Sequence, residues 1–145
     1  MNNIVVRRLR PEDADGIGRI SAAITRSPDN TEFKRIVEKQ TQSEDDASFV
    51  AERENRLVGY CISHILSGSF GVEKSAWVAV LGVDPDFMGQ GIGEMMFTEA
   101  LKNYKARGIK DVYTSVRWDS MDLLSFFKTL GFQRSDFINL YKILE

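Results

Sequence analysis

The stretch VDPDFMGQGIGEMM, residues 83–96, decides how the rest of the chain is read. Glycines stand at 89, 91 and 93, after an acidic, proline-containing turn. Behind them Met96, Phe97, Ala100, Leu101 and Tyr104 recur with helical period. Glycine is the residue that loses most freedom on ordering, and one would suffice for a strand-to-helix turn. Three at alternate positions leave the backbone bare where a helix begins. Unpaired N–H groups and the helix dipole make such a start an anion site, suited to a phosphate or pyrophosphate. The plain alternative is a tight turn that uses glycine only for backbone freedom.

Two familiar phosphate patterns do not fit. A P-loop ends in Gly-Lys-Ser/Thr, whereas Gly93 is followed by Glu94 and Met95. A dinucleotide fingerprint wants a glycine where Glu94 stands, close to the first strand of a parallel array. Here several predicted strands and helices precede the glycines.

Working outward, residues 4–10 (IVVRRLR) predict a strand. Residues 11–25 predict a helix opened by Pro11, with Ile17, Ile20 and Ile24 on one face. A turn at 27–30 and a more polar helix at 31–42 follow, with Phe33, Ile36 and Val37 inward. Residues 48–53 and 57–66 read as a hairpin turning at Glu54 and Asn55. SAWVAVLGV, residues 75–83, is the apolar run of a strand buried on both faces. The helix after the glycines ends at Gly108, residues 111–118 predict a strand, 120–130 a helix stopped by Gly131, and 137–144 (FINLYKIL) a last strand. The expected fold is α/β with a mixed sheet, in the order β-α-α-β-β-β-α-β-α-β, as one domain over 1–145.

Composition narrows the function. The 145 residues are 43% hydrophobic and 28% charged, with a net charge of −2, which gives no pull toward nucleic acid or an anionic membrane. A single cysteine, Cys61, and a single histidine, His64, exclude an internal disulfide and cysteine- or histidine-rich metal sites. No apolar run approaches the length of a membrane span. The start MNNIVVRRLR lacks the long apolar segment of a secretion signal, so the expected setting is the cytoplasm.

VDPDFMGQGIGEMM resembles the pyrophosphate motif of the GNAT family of N-acetyltransferases, Arg/Gln-x-x-Gly-x-Gly/Ala. Gly91 and Gly93 take the motif's glycines, and Met88 stands where Arg or Gln is usual. SMDLLSFFKTLGF, residues 120–132, resembles the family's second motif: Phe126, Gly131 and Phe132 match, while Ser120, Leu123 and Phe127 depart. The resemblance implies an enzyme with acetyl-CoA as cosubstrate and no metal. Its reaction is acetyl transfer to a primary amine, such as a peptide N-terminus, by direct attack. It places the pantetheine arm along the backbone of Leu81, Gly82 and Val83. It wraps the pyrophosphate with N–H groups from Met88, Gly89, Gln90, Gly91, Ile92 and Gly93, and sets Ser120, Phe127 and Lys128 beside the cofactor. Gly82 has a signal of its own, since a strand glycine marks a bulge or a close approach. Plain packing is the alternative. The implied partner is a small-molecule or peptide amine, without nucleic acid or membrane; a homodimer is compatible with the sequence.

The catalytic positions depart most. The family's usual tyrosine acid is Phe127, and its usual glutamate bases fall on Ser115 and Trp77. Ser115, by position, and Asp119, between strand and helix, are the remaining catalytic candidates. Asp119 also reads as a helix N-terminal acid beside a capping Ser120. Tyr113 and Tyr141 carry usable hydroxyls, and Trp77 and Trp118 could line an acceptor pocket together with loops 27–30 and 67–74. His64 and Cys61 read as packed core residues. The vacant acid position leaves a second reading open, an acyl-CoA-binding module that senses or regulates with little turnover.

Overall fold

Strand β1 (Ile4–Arg8) pairs antiparallel with β2 (Phe49–Arg53), β2 with β3 (Arg56–Ser67), and β3 with β4 (Lys74–Val83). Strand β5 (Val112–Thr114) joins β4 in parallel, so a mixed sheet runs β1-β2-β3-β4-β5. This is a computed structural model of the chain, and it describes residues 3–26, 32–68 and 73–145. The chain divides into two units, Met1–Thr114 and Ser115–Glu145.

In the first unit, alternation along β3 sorts the helices onto opposite faces. A Cβ on Gly59 would come within 2.9 Å of Met96 in α3 (Ile92–Ala106). The next residue, Tyr60, packs edge-on against Phe33 of α2 (Phe33–Thr41), with ring centroids 6.4 Å apart. On that side Ile17 and Ile20 of α1 (Ala14–Thr25) join Phe33, Val37, Val50, Tyr60 and Ile62 in one buried cluster. On the other, Ile92, Met96, Phe97, Ala100 and Tyr104 of α3 are buried.

Most expected elements form, for the reasons the sequence offers. Glu54 and Asn55 both take positive φ (52° and 66°), the two-residue hairpin geometry that matches strand twist. Gly108 and Gly131 end α3 and α4 (Met121–Thr129) with φ of 76° and 92°. The expected first helix starts as a 3-10 turn, Pro11–Asp13. There the Asp13 carboxylate accepts from the Arg10 N–H (2.8 Å) and from both terminal nitrogens of Arg7 (2.9 and 2.8 Å).

Several details differ. Ile24 and Ile36 are 44% and 40% exposed, because the buried stripes run through Ile17–Ile20 and Phe33–Val37 and leave them to the side. The fourth strand is not covered on both faces throughout: Ala79 and Val80 are exposed. Of the strand expected at 111–118, Val112–Thr114 pairs in the sheet of the first unit, and residues 115–118 belong to the second unit. Residues 137–144, where a last strand was expected, belong to the second unit and form no ladder within it. The turn expected at 27–30 and residues 69–72 of the loop at 67–74 lie outside the described residues.

Candidate active site

β4 and β5 pair over three residues within the first unit. Ala76 faces Val112, Trp77 faces Tyr113, Val78 faces Thr114, and there the ladder stops. The Thr114 hydroxyl donates to the Val78 carbonyl at 2.9 Å, closing the last rung. On the other side of β4 the register slips at the same point: Ser63 faces Val78 but Ile62 faces Val80, so Ala79 is an extra residue. A bulge of this kind bends its strand and raises the local twist.

The bulge also fixes which peptide groups of β4 face away from β3. Ala76 N–H donates toward β5, to Asp111 C=O, at 2.9 Å. Beyond Ala79 the parity reverses. Asp84 N–H donates toward β3, to Val58 C=O, at 2.8 Å. By alternation the groups of Gly82 also turn to β3, and those of Leu81 and Val83 turn to the opposite edge of β4. Two of the three strand residues expected at a ligand thus turn their backbone groups to the edge of β4 opposite β3. Gly82 has another reason for being glycine: a Cβ there would meet the Tyr60 ring at 2.6 Å.

At the end of β4 the Asp84 carboxylate accepts from Asp86 N–H (3.0 Å) and from Arg19 (3.2 Å), anchoring the 3-10 turn Pro85–Phe87. Met88 is extended and 66% exposed. Gly89 and Gly91 take φ of 79° and 77°, and Gly91 is the N-cap of α3 with no side-chain cap. The first α3 bond runs from Met95 N–H to Gly91 C=O (3.0 Å). The N–H groups of Ile92, Gly93 and Glu94 precede it, the donors that a helix start leaves without intrahelical acceptors. A Cβ on Gly89 or Gly91 would meet nothing within 4 Å. These two glycines serve the left-handed backbone that turns the strand into the helix, and the space over them is open. Open, donor-rich backbone at a helix N-terminus fits a pyrophosphate. Beside it lies a hollow of about 500 Å³, lined by Gln90, Gly91, Glu94 and Met95 with Ile4 and Val6 of β1.

Trp77, at a position where a glutamate was expected by resemblance, stacks on Tyr113 with centroids 6.2 Å apart and planes at 28°. Burial pushes the Cys61 thiol up to about 12, and Tyr104 donates to Ser63 Oγ at 2.6 Å deep under α3; both are core groups.

Within the C-terminal unit, Ser115 Oγ accepts from Asn139 Nδ2 at 2.6 Å. The Asp119 carboxylate is gripped by Arg117 through Nε and Nη2, each at 3.0 Å, which holds its carboxyl below the usual carboxylate range. The side chain of Ser120 makes no capping bond to α4; its carbonyl instead accepts from Leu124 N–H at 3.0 Å. Phe127 is buried against Phe126 and Phe132, edge-on at 5.3 and 5.0 Å. Lys128 is exposed, and Trp118, a candidate pocket residue, is 85% exposed. Among the described residues no group of three His, Cys, Asp or Glu side chains could hold a metal ion. None of their helices is long and apolar enough to cross a membrane.

The family model described as "Acetyltransferase (GNAT) family" matches residues 15–132. The chain belongs to this family. Among curated proteins it is similar to the mycothiol acetyltransferase of Amycolatopsis mediterranei, 28% identical over 133 residues. That match takes in 86% of the chain but only 44% of the relative, so the chain spans less than half of that protein. It is 25% identical over 130 residues to a Bacillus subtilis protein named provisionally as a ribosomal protein bS18-alanine N-acetyltransferase, covering 88% of the chain and 80% of the relative. The solved GNAT structure of an aminoglycoside N-acetyltransferase in complex with CoA superposes with a TM-score of 0.84 at 12% identity, covering 99% of this chain and 96% of that one. This likeness shows the fold.

Proposed function

We propose that this GNAT chain is an N-acetyltransferase that moves an acetyl group from acetyl-CoA to a primary amine, a peptide N-terminus or a small molecule. The observation that carries the reading is the start of α3, where open glycine backbone at positive φ meets helix N–H groups with no intrahelical acceptor. Acetyl-CoA supplies an activated carbonyl: the C–N bond forms, the C–S bond breaks, the CoA thiolate leaves and the amine gives up its proton. The chain's own residues hold and orient. Backbone N–H groups over Gly89–Gly93 hold the pyrophosphate, with Met88 contributing backbone only. The outward peptide groups of Leu81 and Val83 lie along the pantetheine arm, where a fixed N–H can meet developing negative charge on the thioester oxygen. By resemblance Ser120, Phe127 and Lys128 also belong to the cofactor; within their own unit Phe127 is a packing residue, and the reading stands on the first unit alone. The family match runs through both units, which supports treating 1–145 as one functional domain. A cytoplasmic setting goes with that cosubstrate.

The acceptor follows from what the catalytic candidates lack. Ser115 is bonded to Asn139 and Asp119 is held by Arg117, so neither offers a strong base. Making a lysine amine neutral at pH 7 costs about 4.6 kcal/mol, against roughly 1–1.4 kcal/mol for an α-amino group. A site without a strong base suits the second. A thiolate of ordinary pKa near 8.5 leaves without much acid help, so Phe127 in place of tyrosine is tolerable. The name of the Bacillus subtilis relative points the same way.

The test is CoA-thiol release on two peptides, one with a free N-terminus and no lysine, the other N-blocked with one lysine. The first is expected to show the higher kcat/KM, by at least about tenfold given the pKa gap. A preference for lysine overturns the acceptor assignment. Tight CoA binding without release on any amine favours the binding module instead.

A further inference from the structure

We propose that Arg19 is a positioning residue for the cosubstrate: from α1 it holds the Asp84 carboxylate, and through Asp84 it sets the path of the Gly89–Gly93 backbone. This rests on the reading of that backbone as the pyrophosphate site. Arg19 Nη1 donates to Asp84 Oδ2 at 3.2 Å, and Nη2 donates to the Leu57 carbonyl at 2.7 Å. One acceptor lies on β3 and the other just past β4, and a single planar guanidinium serves both. A rigid fork of donors fits such a pair where a point charge does not. The Leu57 carbonyl sits at a slip in register: Ala51 faces Gly59 but Glu52 faces Leu57, so Val58 is an extra residue of β3. A bulge disrupts its ladder locally, and Arg19 supplies a donor there. Helix α1 comes close enough because position 16 is glycine; a Cβ on Gly16 would stand 3.0 Å from Leu57.

Asp84 is the hub that this contact secures. Its N–H donates to the Val58 carbonyl (2.8 Å), its own carbonyl accepts from Phe87 N–H (2.8 Å), and its Oδ1 accepts from Asp86 N–H (3.0 Å). Its side chain is 5% exposed, so loss of the cation would leave a buried charge uncompensated. Residues 88–91 then lead from the Pro85–Phe87 turn to α3. At their far end Ile92 and Met96 are fixed in the core. At the near end the turn is held by Asp84 and by Arg53 of β2, whose guanidinium lies 5.7 Å from the centroid of the Phe87 ring. Between the two ends, a Cβ on Gly89 or Gly91 would meet nothing within 4 Å, and Gly91 caps α3 without a side-chain bond. The direction of these N–H groups is therefore set by the turn, and the turn by Asp84.

The test begins without ligand. In Arg19→Gln the amides of Asp86 and Phe87 are expected to exchange with deuterium about tenfold faster or more, while those of Met96 and Phe97 keep their rates. Calorimetry with CoA is then expected to show affinity weakened by about tenfold, the size of one charge-assisted hydrogen bond. The KM for acetyl-CoA should rise with kcat unchanged. Arg19→Lys keeps the cation without the fork and should recover part of the affinity. Should Arg19→Gln unfold, Asp84→Asn, which removes the charge and keeps an acceptor for Asp86, is expected to give the same exchange and affinity changes. Unchanged exchange at Asp86 and Phe87, protection lost throughout α3, or a fall in kcat with KM unchanged each overturn the proposal. Normal CoA affinity in Arg19→Gln beside a wild-type chain that binds CoA overturns only the role given to Arg19. Failure of the wild-type chain to bind CoA overturns the pyrophosphate reading itself.

Discussion

Gly82 lies against the end of the Tyr60 ring: a Cβ at position 82 would stand 2.6 Å from Tyr60 Cζ and 2.7 Å from its hydroxyl oxygen. The two residues face each other across β3 and β4. Tyr60 is 3% exposed and packed edge-on against Phe33, so its ring has nowhere to swing. The strand glycine is explained by a neighbouring side chain before any ligand is considered.

Gly82→Ala is therefore expected to destabilise the fold by about 1–3 kcal/mol through overpacking, measured by urea denaturation. Tyr60→Leu in the same chain should recover part of that loss, a coupling that a double-mutant cycle reads directly. An alanine variant of wild-type stability would mean that the ring is free to move, and that Gly82 is kept for some other reason.

Gly91→Val places a β-branched residue at φ 77° at the N-cap of α3. A left-handed residue with a Cβ costs roughly 1–2 kcal/mol, so the loop should leave its present path. Titration calorimetry is expected to show CoA binding weakened by about tenfold or more, since 1.4 kcal/mol is one decade. Met88→Ala removes an exposed side chain and should change affinity little. Normal affinity in Gly91→Val would remove the loop from the site.

Asp119 tests the missing base. Arg117 pulls its carboxyl below the usual range, so it stays ionised as pH falls past the point where a free carboxyl would protonate. It should contribute no inflection to the pH profile of kcat/KM between neutrality and pH 5. Asp119→Asn should leave kcat/KM nearly unchanged, whereas loss of a general base costs on the order of a hundredfold or more. A drop of that size would restore Asp119 as the base and remove the ground for preferring α-amines.

Cys61 gives the fold a pH signature. Its thiol is pushed from 9.0 up to about 12 by burial, and burial raises Tyr104 as well. With the folded pKa above the unfolded one, the native state holds protons that the unfolded chain has released. Stability is then full below pH 9 and falls above it, at up to about 1.4 kcal/mol per pH unit for each such group. Urea midpoints measured from pH 8 to 11 should show this fall, and Cys61→Ala should flatten it. The thiol should also resist alkylation at pH 8 until urea unfolds the chain.

Much of this protein was legible in its sequence, because the deciding signals are local. Alternate glycines before a helical pattern at 89–93, the Glu54–Asn55 turn and the helix stops at Gly108 and Gly131 depend on backbone freedom and short-range periodicity. These placed the α3 start and the order of the elements through α4. Other features belong to pairings between distant segments, which no local pattern carries. The extra residue at Ala79 exists only relative to Ile62 and Ser63 on β3, and in the sequence it is one more alanine in an apolar run. That register slip turns the backbone groups of Leu81 and Val83, rather than those of Gly82, toward the edge of β4 opposite β3. The need for glycine at 82 likewise comes from a tyrosine 22 positions away in sequence. The apolar pattern of residues 137–144 announced a strand, but a strand exists only with a partner, and no ladder forms within the unit that holds this segment. Local sequence sets which backbone shapes are available; long-range packing and register decide which peptide groups and side chains a site receives.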